Sequence, residues 1–165
     1  MYIIVVDDYF DLANATEQII SSLIEEKIES INLEPEKYPL DVTNSKDYFS
    51  QIEVKSYVSP QKALQFINEN LNHILMVVSD NDMPEIMGVE LLLTVFNQTK
   101  DFSDPPQLAI YSTSISKILS AYEDHLQFCQ KIIRLKKPCG LADFRKVLDK
   151  YIFRLGSEQE LCLID

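Results

Sequence analysis

Two apolar runs in this chain end abruptly in carboxylates. Ile3 to Val6 runs straight into Asp7 and Asp8, and Ile74 to Val78 gives way after Ser79 to Asp80, Asn81 and Asp82. Two further runs end in other polar groups. Leu108 to Tyr111 stops at Ser112, and Ile132 to Leu135 stops at Lys136 and Lys137. Carboxylates gathered at the ends of buried segments do not stabilise a fold. Two of them about 5 Å apart repel by roughly 3 kcal/mol at an effective dielectric near 20. A hard divalent cation, which takes oxygen ligands, is the natural compensation.

The segments that must position these groups alternate in type. Tyr2 to Val6 reads as a strand. Residues 11–31 carry Leu12, Ala15, Ile19, Leu23, Ile24, Ile28 and Ile31 at three-to-four spacing, which predicts an amphipathic helix. Ile52 to Val58 alternates like a strand. Ser59-Pro60 then supplies an N-cap and a first-turn proline for a helix with Ala63, Leu64, Ile67 and Leu71 inward. Ile74 to Ser79 is the third strand, and Gly88 opens a helix with Val89, Leu92, Leu93 and Phe96 inward. Leu108 to Tyr111 is the fourth strand. One helix is predicted over 115–128, with Ile115, Ile118, Leu119, Tyr122 and Leu126 inward. Ile132 to Leu135 is the fifth strand, and Leu141 to Leu155 the last helix. Five βα units predict an α/β fold, a doubly wound five-stranded parallel sheet with right-handed crossovers. Ligands in such sheets sit beyond the carboxyl ends of the strands, where the strand order switches direction. Asp7, Asp8 and Asp80 fall there.

Residues 32–50 interrupt the alternation. They hold Pro35, Pro39 and many polar groups, and read as an inserted loop between helix 1 and strand 2, with room for a short helical piece. The expected organisation is one domain over 1–155 and a C-terminal tail over 156–165.

The bulk numbers bound the class. The chain has 165 residues, 46% of them apolar, and a formal charge of −11. That suits one globular core and argues against a surface that grips nucleic acid through its phosphates. Lys131, Arg134, Lys136 and Lys137 still make a local basic patch. No apolar run approaches the ~20 residues of a membrane span, and the N-terminus lacks the basic flank of a signal peptide. Cys129, Cys139 and Cys162 are odd in number and without metal-ligand spacing, which suits a reducing cytoplasm. The tail ends Leu161-Cys162-Leu163-Ile164-Asp165. It resembles a prenylation box only formally, since Asp is a poor final residue and no basic run precedes it. An apolar tail packing on the domain or on a partner is the better expectation.

Taken singly, each motif is ordinary. Adjacent aspartates at a strand end can be turn or cap residues, Lys137-Pro138 can be a turn, and Ser112 can be any strand-end hydroxyl. Together and in this order, V-V-D-D, S-D-N-D-M-P-E-I-M-G, A-I-Y-S-T and L-K-K-P resemble the receiver domain of two-component response regulators, over roughly residues 2–154 apart from the insertion. The resemblance implies that Asp80 is a phosphoacceptor, forming an acyl phosphate. It implies Mg²⁺ (or Mn²⁺ in its place) held by Asp7, Asp8, Asp80 and the backbone carbonyl of Asp82. Lys137 would hold a phosphoryl oxygen by a charge-assisted bond, Ser112 would donate a hydrogen bond to it, and the Lys137-Pro138 peptide would be cis. The implied partners are a histidine kinase or histidine phosphotransfer protein, and a downstream protein on the helix 4–strand 5–helix 5 face. A homodimer stays open; nucleic acid and membrane are not expected partners of this chain.

Some positions depart from the pattern. Asp8 and Asp80 are 72 positions apart, a longer gap than receivers usually have, and the insertion accounts for the excess. Arg134, three before Lys137, stands where receivers usually carry an aromatic that swings inward. An arginine cannot be buried cheaply there. Thr113 replaces a smaller residue after the hydroxyl and restricts access. Asp82 adds a carboxylate that should tune the lifetime of a phosphorylated Asp80. No output domain follows the last helix in this sequence, so a stand-alone receiver or phosphorelay intermediate is expected, a piece of a longer regulator being the other option. It would be no enzyme beyond its own phosphoryl uptake and self-dephosphorylation. Two rival readings stand beside this one. A pseudo-receiver would bind proteins without phosphorylation. An aspartyl-phosphate phosphatase would use Asp80-Asn81-Asp82, but its motif belongs after the first strand, not the third.

Overall fold

The computed structural model describes residues 1–33 and 42–153. Its strands are β1 (Tyr2–Val6), β2 (Glu53–Tyr57), β3 (Ile74–Asp80), β4 (Gln107–Ser112) and β5 (Ile133–Lys136). They form one sheet in the order β2-β1-β3-β4-β5, every pairing parallel. The helices are α1 (Phe10–Leu33), α2 (Val42–Ser50), α3 (Pro60–Glu69), α4 (Gly88–Thr99), α5 (Ile115–Ser120), α6 (Leu126–Lys131) and α7 (Leu141–Tyr151). This is the doubly wound α/β architecture that the alternation predicts.

Strand periodicity divides the core in two. On one face Ile4, Val6, Val77, Leu108 and Ile110 pack with Val89, Leu92, Leu119 and Phe128 of α4, α5 and α6. On the other Ile3, Val5, Met76, Val78, Ala109 and Leu135 pack with Ile20, Leu23, Phe144 and Leu148 of α1 and α7. Central strands covered on both faces read as continuous apolar runs, which is why β1 and β3 were legible. The order reverses between β1 and β3, so their carboxyl ends flank a crevice.

Local signals place the helix starts. Ser59 accepts a hydrogen bond from Lys62 N at 3.4 Å, with Pro60 in the first turn of α3. Asp143 Oδ2 accepts one from Gly140 N at 3.1 Å and caps α7.

Four expectations change. Most of the second half of the 32–50 insertion is helix: α2 runs to Ser50. Phe49 on α2 is buried and meets Phe153 edge-on, with ring centroids 5.4 Å apart. That packing lies below the sheet, where the strands begin; the Met1 ammonium donates to Gln51 O and Glu53 N to Met1 O there. In α1 the inward face near its start is Ala13, Thr16 and Ile20, while Leu12 and Ala15 are exposed. Both phases satisfy a 3.6-residue period, and the turn at Asp7–Tyr9 selects one, because Tyr9 N donates to Asp7 Oδ1 at 3.0 Å. The single helix predicted over 115–128 is two, joined by a 3₁₀ turn at Glu123–His125. Leu119 and Phe128 are both buried and nine residues apart, so a continuous helix would point them in opposite directions. The break turns Phe128 inward and leaves Leu126 exposed, and the Cys129 thiol donates to Tyr122 O across it. The last helix ends at Tyr151, with Ile152 as its C-cap, four residues short of the expected Leu155; the tail 156–165 lies outside the described residues. No helix among the described residues is long and apolar enough to cross a membrane.

Candidate functional site

Side-chain parity and parallel register build the site. Asp7 continues the alternation of Ile3 and Val5, and Asp80 that of Met76 and Val78, so both carboxylates emerge on the α1/α7 side of the sheet. Asp7 and Asp80 are buried, and Asp8 is half-buried. One carboxylate oxygen from each of Asp7, Asp8 and Asp80 lies within 4.8 Å of the others.

Lys137 reaches this cluster from the loop after β5. Its Nζ is 2.9 Å from Asp80 Oδ1 and 3.9 Å from Asp7 Oδ2. The loop is anchored by Lys137 N donating to Ser112 O at 3.1 Å, and the Lys137-Pro138 peptide is cis, as the resemblance implied. One ammonium cannot balance three carboxylates. Burial pushes the Asp7 carboxyl above its ordinary range, Asp80 and Asp8 add to the rise, and the Tyr9 N–H and Lys137 oppose it.

Whether the site fits a cation can be read from its unsatisfied atoms. Asp7 Oδ2 and Asp8 Oδ1 are buried with no hydrogen-bond partner among the described residues. Buried carboxylate oxygens without donors are costly, and two of them aimed into one acidic cluster match the oxygen donor set of Mg²⁺.

The expected neighbours occupy the rim. Ser112 is buried at the end of β4, one position past the Asp80–Tyr111 register pair, and its Oγ accepts from Ser114 N at 3.2 Å. Thr113 is exposed beside it. Asp82 is exposed, and its Oδ1 accepts from Asn81 Nδ2 at 2.9 Å. Arg134 is exposed on β5 and donates to Cys129 O at 3.4 Å. No aromatic stands at its position to swing inward.

Two residues were missed by sequence reasoning. Asn81 is buried and connects several parts of the site. Its N–H donates to Asp80 Oδ1 at 2.6 Å, its carbonyl accepts from Gly88 N at 3.0 Å, and its Oδ1 accepts from Val89 N at 3.4 Å. The only sequence signal was its place between two aspartates. Tyr111 pairs with Asp80 in the ladder, and Lys137 Nζ lies 4.5 Å from its ring centroid. It had read simply as the end of an apolar run. Gly88 has a steric reason to be glycine: an added Cβ would fall 1.8 Å from the carbonyl oxygen of Asp80. The start of α4 can therefore press against the end of β3 only without a side chain.

No family model matches the chain, and no curated protein matches it. Solved structures do. A response regulator receiver domain protein from Clostridium thermocellum is 17% identical with a TM-score of 0.63, over 93% of this chain and 95% of that one. The chemotaxis protein CheY4 of Vibrio cholerae is 17% identical with a TM-score of 0.57, over 92% and 98%. The receiver domain of the hybrid histidine kinase CckA is 16% identical with a TM-score of 0.53, over 92% and 99%. Identities this low speak to architecture alone, and the architecture these structures share with this chain over most of its length is the five-stranded parallel CheY-like receiver fold.

Proposed function

We propose that this domain is a phosphoacceptor of two-component signalling or a phosphorelay, which takes a phosphoryl group onto Asp80 and thereby changes which protein it binds. The observation that carries this reading is the contact of Lys137 Nζ with Asp80 Oδ1 at 2.9 Å inside a three-carboxylate cluster. A carboxylate is a competent nucleophile toward phosphorus, and phosphoryl transfer needs chiefly alignment and positive charge around the transferring oxygens.

In the forward step an Asp80 carboxylate oxygen attacks the phosphorus of a phosphohistidine on a histidine kinase or phosphotransfer protein. The new P–O bond forms as the P–N bond breaks, and the imidazole leaves. Lys137 moves from the carboxylate to a phosphoryl oxygen, and Ser112 donates its hydroxyl to another. Asp7, Asp8, Asp80 and the Asp82 carbonyl would hold Mg²⁺, or Mn²⁺ in its place. Bound there, the ion would supply charge neutralisation to the transferring oxygens. Hydrolysis of the acyl phosphate by water resets the domain, with Thr113 limiting access and the Asp82 carboxylate tuning the rate. The readout surface is α5, α6, β5 and α7, where the exposed Arg134 is suited to an acidic partner. The proposed compartment is the cytoplasm, and no catalytic turnover of other substrates is part of the reading.

The test is intact mass after incubation with Mg²⁺ and a small acyl-phosphate donor, on wild type and Asp80→Asn. Gain of one phosphoryl group that needs both Mg²⁺ and Asp80 is the expected result. Absence of an adduct, together with no binding of beryllium fluoride as a phosphoryl mimic, would leave a pseudo-receiver.

A further inference from the structure

Lys137 has a third neighbour besides its two carboxylates. Parallel partners share a face, so the Asp80–Tyr111 pairing sets the phenol ring beside the phosphoacceptor, on the side away from Asp7. The ammonium lies 2.9 Å from Asp80 Oδ1, 3.9 Å from Asp7 Oδ2 and 4.5 Å from the centroid of the Tyr111 ring. Its side chain is only 22% exposed. We infer that Tyr111 is a positioning residue: its ring is the seat that keeps the Lys137 ammonium at the acceptor while the charge on Asp80 changes.

On the phosphoacceptor reading, on which this inference rests, something must hold Lys137 in place through the reaction. Its stem has four methylenes and high rotamer entropy. Before transfer, the carboxylate of Asp80 holds the ammonium. Once Asp80 carries the acyl phosphate, that attraction is redistributed to the phosphoryl oxygens, and a bound cation would compete for Asp7. The ring's negative face does not depend on either event. An ammonium within about 6 Å of a ring centroid is attracted to the ring quadrupole, more strongly where water is excluded. Burial also holds the Tyr111 phenol above its ordinary titration range, so the ring stays neutral. The same ring packs against the α1/α7 core.

The test compares Tyr111→Phe with Tyr111→Leu in two assays. The first needs no phosphorylation: metal-free protein is treated with a limiting amine-acetylating reagent, and acetylation of Lys137 is read by peptide mass against exposed Lys136. The second is the initial rate of phosphoryl uptake from a small acyl-phosphate donor with Mg²⁺. Tyr111→Leu should raise Lys137 acetylation severalfold and slow uptake about fivefold, while Tyr111→Phe stays near wild type in both. If Tyr111→Leu does not fold, Tyr111→Met, apolar and longer, takes its place. Unchanged Lys137 acetylation in the ringless variant overturns the inference, and so does a Phe variant as impaired as Leu. Ring-dependent protection of Lys137 in a wild type that takes up no phosphoryl group supports the seat and sinks the receiver reading instead.

Discussion

Replacing Asp7 by asparagine should make the metal-free protein more stable. Asp7 has two carboxylate neighbours with oxygens within 4.8 Å. At an effective dielectric near 20, each such pair repels by about 3.5 kcal/mol. Lys137 at 3.9 Å returns about 4 kcal/mol on the same scale. The balance is about 3 kcal/mol against the ionised native state, before the cost of burying the carboxylate. Asparagine keeps the oxygen that accepts from Tyr9 N and drops the charge. Asp7→Asn should therefore gain about 2–3 kcal/mol at neutral pH, or roughly 5–10 °C in Tm for a chain of this size. The sign with pH follows from linkage. The Asp7 carboxyl titrates higher in the fold than in the unfolded chain, so the native state binds more protons and stability falls as pH rises from the unfolded to the folded value. The advantage of Asp7→Asn should appear across that window and vanish below the ordinary carboxylate range. Thermal melts in metal-free buffer and in Mg²⁺ check both parts: Mg²⁺ should raise the wild-type Tm and leave the variant's nearly unchanged. A variant that melts lower than wild type without metal would refute the electrostatic account, and an equal Mg²⁺ response in both would remove Asp7 from the ligand set.

Gly88→Ala drives a methyl into the Asp80 carbonyl, so it should cost about 2–3 kcal/mol or more by urea unfolding and impair phosphoryl uptake. Phe49→Ala opens a cavity between α2 and the Phe153 ring; it should cost about 3 kcal/mol while leaving uptake in the surviving native protein unchanged, because that packing lies at the far end of the sheet. Burial, then Asp143, pushes the half-buried Cys139 thiol up to about 11; alkylation at pH 8 should be slow in the native state and become rapid on unfolding. Glu26→Gln breaks an exposed two-bond fork with Arg145, at 2.7 and 2.8 Å, that links α1 to α7; its effect on Tm should be small, and larger at low salt than at high salt, because exposed pairs are screened.

The linear chain determined the architecture because β1 and β3 are buried on both faces, and a strand covered on both sides has to be apolar throughout. It determined the acidic site because each of those runs stops at a carboxylate, and strand ends at a topological switch share one crevice. Ser59-Pro60 and Gly88 marked helix starts for reasons confined to a few neighbouring residues. Tertiary structure decided what depends on phase and register. Both helical phases at the start of α1 fit the sequence, and the bond from Tyr9 N to Asp7 selected one. Leu119 and Phe128 both fit a helical stripe locally, but a single core cannot receive both from one continuous helix. α2 was obscured because its anchor, Phe49, finds its partner Phe153 more than a hundred positions away. Asn81 and Tyr111 were silent for the same reason: hydrogen bonds to α4, and a lysine arriving from the loop after β5, exist only once parallel register has set Asp80 between Val6–Asp7 and Tyr111.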